Sequence, residues 1–471
     1  MTKECDELNL LTTLQALVGD AGLISDKDGM APCTRDWRGE FGAPAVAVVR
    51  PKTVDQVGAV VRLCADRNVA IVPQGGNTSL AGGAVPIPGR SQIVLSLSRM
   101  NAIRSIDPIG MTMAVEAGAI VQTVQEAAIE HDLIFPVSFA AQGSSQVGGI
   151  VSTNAGGINV LRYGMTRQRV LGLEAVLADG TIVNGLRSLH KDNAGYDWKQ
   201  VLIGSEGTLG IVTAATLRLA PRLRNKETAL LSVSSPESAL SLLQYVAREL
   251  GDSITAFELI SPTALGLVNR HFDLKSPVQA PFWAVLIEAA SSLSGLRDAM
   301  EGALTAALED GVAVDGVIAE SESQAAALWA LREHVTEAEL KTGRSVKHDV
   351  SVPVNRIPDF IRDADAALRK QFQGLTILAF GHVGDGNVHF NVLGASNEAD
   401  AVNKIVHDVV AEYEGSISAE HGVGCYRVAE LAHYKGPAEI ALMRKMKDAM
   451  DPQGILNPSK VLDRNVHSNR G

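Results

Sequence analysis

His382 and His389 fall within Gly381-His382-Val383-Gly384-Asp385-Gly386-Asn387-Val388-His389-Phe390-Asn391, and Ser418-Ala419-Glu420-His421-Gly422 follows about thirty positions later. Two imidazoles and a carboxylate form the donor set of a divalent metal that keeps an open coordination position. On a plain strand their odd separation would send the histidines to opposite faces. Gly384 and Gly386 permit a tight reversal, and a hairpin returns both rings to one side. Glu420 then offers a hard oxygen as third ligand. The metal is read as Zn²⁺, with Mn²⁺ or Co²⁺ as alternatives. His421, the next residue, carries an imidazole with an ordinary pKa of roughly 6.5, suited to take a proton from an alcohol held at the metal. The bland alternative is a glycine-rich turn in which two of eleven histidines fall close by chance.

These residues need a scaffold, and composition bounds it. A chain of 471 residues, 46% hydrophobic and 20% charged, predicts about two or three packed domains and no extensive disorder. A net charge of −11 without a Lys/Arg-rich block argues against nucleic acid or an anionic membrane as main partner. The acidic start Met1-Thr2-Lys3-Glu4-Cys5-Asp6-Glu7 and the lack of a long apolar run predict a soluble, cytoplasmic protein. Cysteines at 5, 33, 64 and 425 have no CxxC spacing and read as free thiols.

From about residue 45 to 220, strands alternate with short helices: Ala45 to Val49 reads as a strand, Thr53 to Asn68 as a helix, Val69 to Pro73 as a strand. From about 223 to 425 longer amphipathic helices appear, at Pro236 to Leu250, Leu293 to Asp310 and Ser321 to Thr342, with apolar strands such as Phe282 to Ile287. That pattern predicts helices on one face of an antiparallel sheet. The tail from 426 to 462 reads as helical, stopping at Asp451-Pro452 and Asn457-Pro458.

Glycine-rich loops point to a phosphate-bearing cofactor. Pro73-Gln74-Gly75-Gly76-Asn77-Thr78-Ser79, with Gly82 and Gly83 behind it, follows a strand and offers many backbone N–H groups beside hydroxyls. Gly143-Ser144-Ser145-Gln146-Val147-Gly148-Gly149 runs into Ser152-Thr153-Asn154-Ala155-Gly156-Gly157, and Gly204-Ser205-Glu206-Gly207-Thr208-Leu209-Gly210-Ile211 forms a third loop. Three such loops can line a long dinucleotide. No G-x-G-x-x-G opens a helix after a strand, so a Rossmann-type nicotinamide site is unsupported.

Together these segments resemble the flavoproteins of the vanillyl-alcohol oxidase and p-cresol methylhydroxylase superfamily, over about Pro51 to Leu462. Within it, Lys191-Asp192-Asn193-Ala194-Gly195-Tyr196-Asp197, Ile203-Gly204-Ser205-Glu206-Gly207, Lys347-His348-Asp349-Val350-Ser351-Val352-Pro353 and Gly415 to Gly422 are similar to the FAD-dependent D-2-hydroxy acid dehydrogenases, above all the D-2-hydroxyglutarate branch. D-lactate and glycolate dehydrogenases share the core motifs. The resemblance implies an α+β fold: an FAD-binding domain of two subdomains over 1–222, an antiparallel-sheet-plus-helices substrate and metal domain over 223–425, and a helical segment over 426–471 that returns to the flavin. It implies FAD held by the three loops with Pro136 and Asn457, and without a covalent bond, because Asn77 stands where covalently flavinylated relatives carry His.

Arg332 and Thr336, read as one turn apart on one helix, and Lys347 on the strand that follows are implied carboxylate anchors, although by composition alone such side chains are solvated. Asn391, two residues beyond His389 and so on the same strand face, can hold a substrate oxygen. The implied reaction places the D-2-hydroxy acid on the metal, gives its hydroxyl proton to His421 and its C2 hydride to flavin N5. Electrons then pass to an electron-transfer flavoprotein or a quinone, and a homodimer is compatible. A water-activating metallohydrolase and a non-catalytic flavin-binding subunit of a larger oxidase are the rival readings.

Overall fold

The structure is a computed structural model that describes residues 3–463; the side chain of Cys5 lies outside the described set. The chain divides into two compact units, one built from 1–157, 164–222 and 420–471, the other from 158–163 and 223–419. The segment from Glu420 onward therefore belongs with the N-terminal unit and does not stand as a part of its own.

In the first unit, Thr53 caps the helix Val54–Asp66 by accepting the Gln56 N–H, and Val57, Val60, Val61 and Cys64 recur at helical spacing on its buried face. That face covers a four-stranded sheet in the order Leu23–Ile24, Val48–Val49, Gln92–Ser96, Ala70–Gln74, whose last three strands run parallel. Ile71, Ile93 and Leu95 share this core with Ile455 and Leu456 from the far end of the chain. Asp451 makes that return possible. Its buried carboxylate takes the Lys447 ammonium at 2.6 Å and the N–H groups of Ile455 and Leu456 at 3.0 and 2.9 Å. A second sheet, antiparallel throughout, has the order Ile103–Asp107, Thr112–Glu116, Ile211–Arg218, Val170–Val176, Ile182–Gly185.

The second unit is built on an eight-stranded antiparallel sheet. Its order is Asp315–Ile318, Asn225–Val233, Trp283–Ser291, Ile254–Ile260, Thr376–Gly381, Asn387–Leu393, Ser345–Val346, and Asp349–Ser351 also pairs with Asn387–Leu393. The expected single covered face is corrected here. Leu230 and Leu231, which alternate in side, are both fully buried, and the strand Ile254–Ile260 is buried at every position. Leu378 and Phe380 pack with the helices Pro262–Phe272 and Glu322–Glu333 on one side, while Phe390 meets Phe360 of the helix Ile357–Gln371 on the other. Continuous apolar runs, rather than alternating ones, are what a doubly covered sheet needs.

The helix expected over 321–342 is also two. Glu322–Glu333 ends at His334, whose Nδ1 lies 2.8 Å from the Ala330 carbonyl and whose ring packs on Phe272, and Val335–Thr342 then begins.

Candidate functional site

The hairpin read from the glycines is present: Thr376–Gly381 and Asn387–Leu393 pair antiparallel, Phe380 opposite His389 and Leu378 opposite Asn391. Gly386 turns the chain at a φ of 96°, where a Cβ would also stand 2.7 Å from the Val352 carbonyl. The imidazoles of His382 and His389 come to one side with ring centres 6.1 Å apart.

Each ring has a carboxylate behind it. His382 Nδ1 bonds to Glu258 Oε1, and His389 Nδ1 lies 3.8 Å from Asp349 Oδ1, which in turn accepts the Asn387 amide at 2.8 Å. The His382 bond sets that ring's orientation and leaves its Nε2 as the nitrogen that could hold a metal, as in carboxylate–histidine–metal arrangements, while the Asp349 carboxylate stands beside His389 at ion-pair distance. The donor set therefore fits a divalent ion. Glu420 opens the last segment of the first unit. The preceding residue, Ala419, donates its N–H to the Asp349 carbonyl at 3.0 Å, and Ser416 bridges Ser351.

Glu258 has no exposed surface and serves a second partner: Arg332 Nε donates to its Oε2 at 2.6 Å. Burial alone would push the Glu258 carboxyl up, but the charges and hydrogen bonds of His382 and Arg332 outweigh it and hold it at about 2. The Arg332 guanidinium also lies over the Phe380 ring at 4.8 Å, and that ring stands 5.1 Å from His389. Arg332 is thus one aromatic ring from the imidazole pair. Thr336, in contrast, is exposed on the next helix, so the one-helix spacing expected for the two residues is corrected.

Lys347 sits in the gap between Ser345–Val346 and Asp349–Ser351 rather than on a strand, and its ammonium meets Glu339 Oε2 at 3.2 Å. Asn391 is buried; its amide N–H₂ donates to the same oxygen at 2.9 Å, and its carbonyl accepts the His348 N–H at 3.2 Å.

In the first unit the glycine loops wall two clefts. One is lined by Pro73, Gln74, Gly75, Ser79, Gly148, Gly149, Ser152, Thr153, Glu206, Gly207, Gly210 and Ile211 with their neighbours. The second, of about 340 Å³, is lined by residues 75–79, Ser145, Gly149, Thr153, Gly156, Glu420 and His421 among others. The loops interlock closely: Thr78 and Ser145 hydroxyls are 2.9 Å apart, and a Cβ on Gly76 would stand 2.0 Å from the Ser144 carbonyl. At Gly149 a Cβ would meet nothing within 4 Å, so the backbone there lies open to a ligand. Such a cradle fits an extended, phosphate-bearing cofactor.

Gly82, Pro136, Gly143, Ser144, Asn154, Gly157 and Asn457 are not among the residues that line these clefts. Asn154 instead holds the Arg167 N–H, and Asn457, buried, donates to the carbonyls of Gly83 and Glu206. The Asn77 amide donates to the Arg35 and Pro32 carbonyls. The Glu206 carboxylate accepts the N–H groups of Val423 and Gly424 at 2.7 and 2.8 Å. Burial raises its pKa despite these bonds and the nearby Lys460.

Comparison with known proteins decides the family. The FAD-linked oxidase C-terminal domain matches residues 222–461, and an FAD binding domain matches residues 45–185. The chain belongs to the FAD-linked oxidases. Among its relatives, the mitochondrial D-2-hydroxyglutarate dehydrogenase of Danio rerio is 38% identical over 451 residues, which cover 94% of this chain and 83% of that one. The D-2-hydroxyglutarate dehydrogenase of Stutzerimonas stutzeri (strain A1501) is 37% identical over 462 residues, covering 96% and 98%. The solved structure of p-cresol methylhydroxylase superposes with a TM-score of 0.77 at 19% identity, covering 99% of both chains, a likeness of fold. This member of the family is an FAD-dependent dehydrogenase with the α+β fold of the vanillyl-alcohol oxidase type. Among its described residues no helix is long and apolar enough to cross a membrane.

Glu258, Glu339, Asp349 and Phe380 are the parts of the arrangement that sequence reading missed. A lone carboxylate inside the apolar run Ile254-Thr255-Ala256-Phe257-Glu258-Leu259-Ile260 was the available signal, as was Glu339 on the stripe it shares with Val335 and Ala338.

Proposed function

We propose that this enzyme oxidises a D-2-hydroxy acid, D-2-hydroxyglutarate first, to the 2-oxo acid, with FAD held non-covalently and a divalent metal on His382, His389 and Glu420. The observation that carries the reading is the shared carboxylate: Glu258 binds both Arg332 and His382, which locks a carboxylate-gripping cation to a metal-type histidine. Relatives named for D-2-hydroxyglutarate support the substrate.

Bound FAD supplies the two-electron acceptor for the hydride that leaves C2. A bound divalent ion supplies Lewis acidity toward the substrate hydroxyl. The residues do the rest. Arg332, stiffened by Glu258 and Phe380, offers its remaining N–H groups to a substrate carboxylate. Lys347 and Thr336 are the proposed anchors of the remote carboxylate, and Asn391 orients the Lys347 end of the pocket through Glu339. His421 takes the hydroxyl proton onto its ring nitrogen. The electrons leave to an electron-transfer flavoprotein or quinone, and a cytoplasmic homodimer is the proposed working form.

One observation favours the runner-up, a D-lactate or glycolate dehydrogenase. Both anchoring cations already face buried glutamates, Arg332 against Glu258 and Lys347 against Glu339, so a dianion meets less uncompensated charge. Anaerobic bleaching of the flavin separates the readings. D-2-hydroxyglutarate should bleach it faster than D-lactate, glycolate or any L-hydroxy acid; faster bleaching by D-lactate would install the runner-up, and no bleaching by any hydroxy acid would refute both.

A further inference from the structure

Glu339 has no exposed surface, yet it is a carboxylate on the inner stripe of the helix Val335–Thr342, beside Val335 and Ala338. A leucine there would fill the same space without the desolvation penalty of a buried ion. One oxygen, Oε2, is engaged twice: the Lys347 ammonium at 3.2 Å and the Asn391 amide at 2.9 Å. The other, Oε1, is buried with no hydrogen-bond partner. Three segments meet at this carboxylate: the helix, the gap that carries Lys347, and the strand Asn387–Leu393 that carries Asn391. The Asn391 amide is fixed from its other end by the His348 N–H, so Glu339 leaves it a single orientation.

We propose that Glu339 is a positioning residue that ties Lys347 and Asn391 into one unit and so sets how well the pocket holds the remote carboxylate of a dicarboxylic substrate. The inference deepens the proposed function and rests on its dicarboxylate reading. A lysine on a free four-carbon stem samples many rotamers, and a buried tether removes most of them before the substrate arrives. The opposing effect is repulsion between Glu339 and the incoming anion. Because two partners lose their anchor when Glu339 goes, positioning outweighs relief of repulsion.

The test compares wild type, Glu339→Gln, Lys347→Met and the double variant on D-2-hydroxyglutarate and D-lactate. Glu339→Gln should raise KM for the diacid about tenfold with kcat within about threefold, leave D-lactate within about twofold, and add less than about twofold in the Lys347→Met background. Glu339→Asp should recover part of the loss. A second measurement needs no substrate: reductive methylation of Lys347, mapped by mass spectrometry, should speed up several-fold in Glu339→Gln while other lysines keep their rates. Equal losses on both acids, a fall in KM, or an undiminished effect without Lys347 would overturn the proposal, as would an unchanged methylation rate. If wild type shows no preference for the diacid while the methylation change stands, the dicarboxylate reading falls and the tether survives.

Discussion

Replacing Glu258 by glutamine keeps the size of the side chain and removes one negative charge from a place that has no exposed surface and two bonded partners, the Arg332 guanidinium and the His382 imidazole. The carboxyl is held at about 2 against an ordinary value of 4.5, which at about 1.4 kcal/mol per tenfold change in proton affinity corresponds to roughly 3 kcal/mol. Breaking one side of a buried ion pair costs about 3–5 kcal/mol by an independent route, so the two magnitudes agree. Glu258→Gln should therefore destabilise the second unit by roughly 3 kcal/mol at pH 7, read as a lowered urea midpoint. The sign with pH follows from a depressed folded-state value. The stabilisation is fully present above about 4.5 and is lost as pH falls toward about 2, so the gap between wild type and variant should stay constant from neutral pH down to about 5 and narrow below it. Metal affinity should fall about 10- to 100-fold in the same variant, because His382 loses the carboxylate that orients it. A variant as stable as wild type at pH 7, or a gap that does not change between pH 5 and pH 3, would refute the reasoning.

Removal of the metal by a chelator should abolish turnover and leave the yellow colour bound, since the histidine ligands belong to the second unit and the glycine loops to the first; full activity after chelation and desalting would dismiss the metal. His421→Ala should slow flavin reduction about 10²- to 10⁴-fold while metal and flavin content hold, measured by anaerobic stopped flow; an unchanged rate removes His421 as the base. Acid or heat should release FAD intact from the denatured chain, because position 77 offers an asparagine amide and no imidazole for a flavin bond; flavin left on the precipitated protein would contradict this.

What could be read from the chain, and what could not, divides along the distance over which residues interact. The His382–His389 hairpin was legible because its glycines act locally, and the Val54–Asp66 helix because Thr53 caps it three residues away. The break at His334 was invisible: no glycine or proline marks it, and it is fixed by the contact with Phe272. Glu258 and Arg332 lie 74 positions apart and Glu339 and Asn391 52 apart, so neither pairing leaves a trace in spacing. The single covered face failed for a related reason. An apolar run reports that a strand is buried, while the number of layers upon it depends on helices far along the chain.

The return of Ile455 and Leu456 to the sheet edge at Ile71 has a consequence for biosynthesis. Ile71 exchanges backbone bonds with Ile455 and Asn457, so the first-made sheet lacks its last neighbour until residues nearly 400 positions further along the chain have emerged from the ribosome. The second unit, nearly continuous over 223–419, has all of its strands earlier and can fold during translation while the first waits with an open edge. An unpaired edge kept waiting is where chains adhere to one another, so the nascent protein is most prone to aggregate just before the Lys447–Asp451 knot closes.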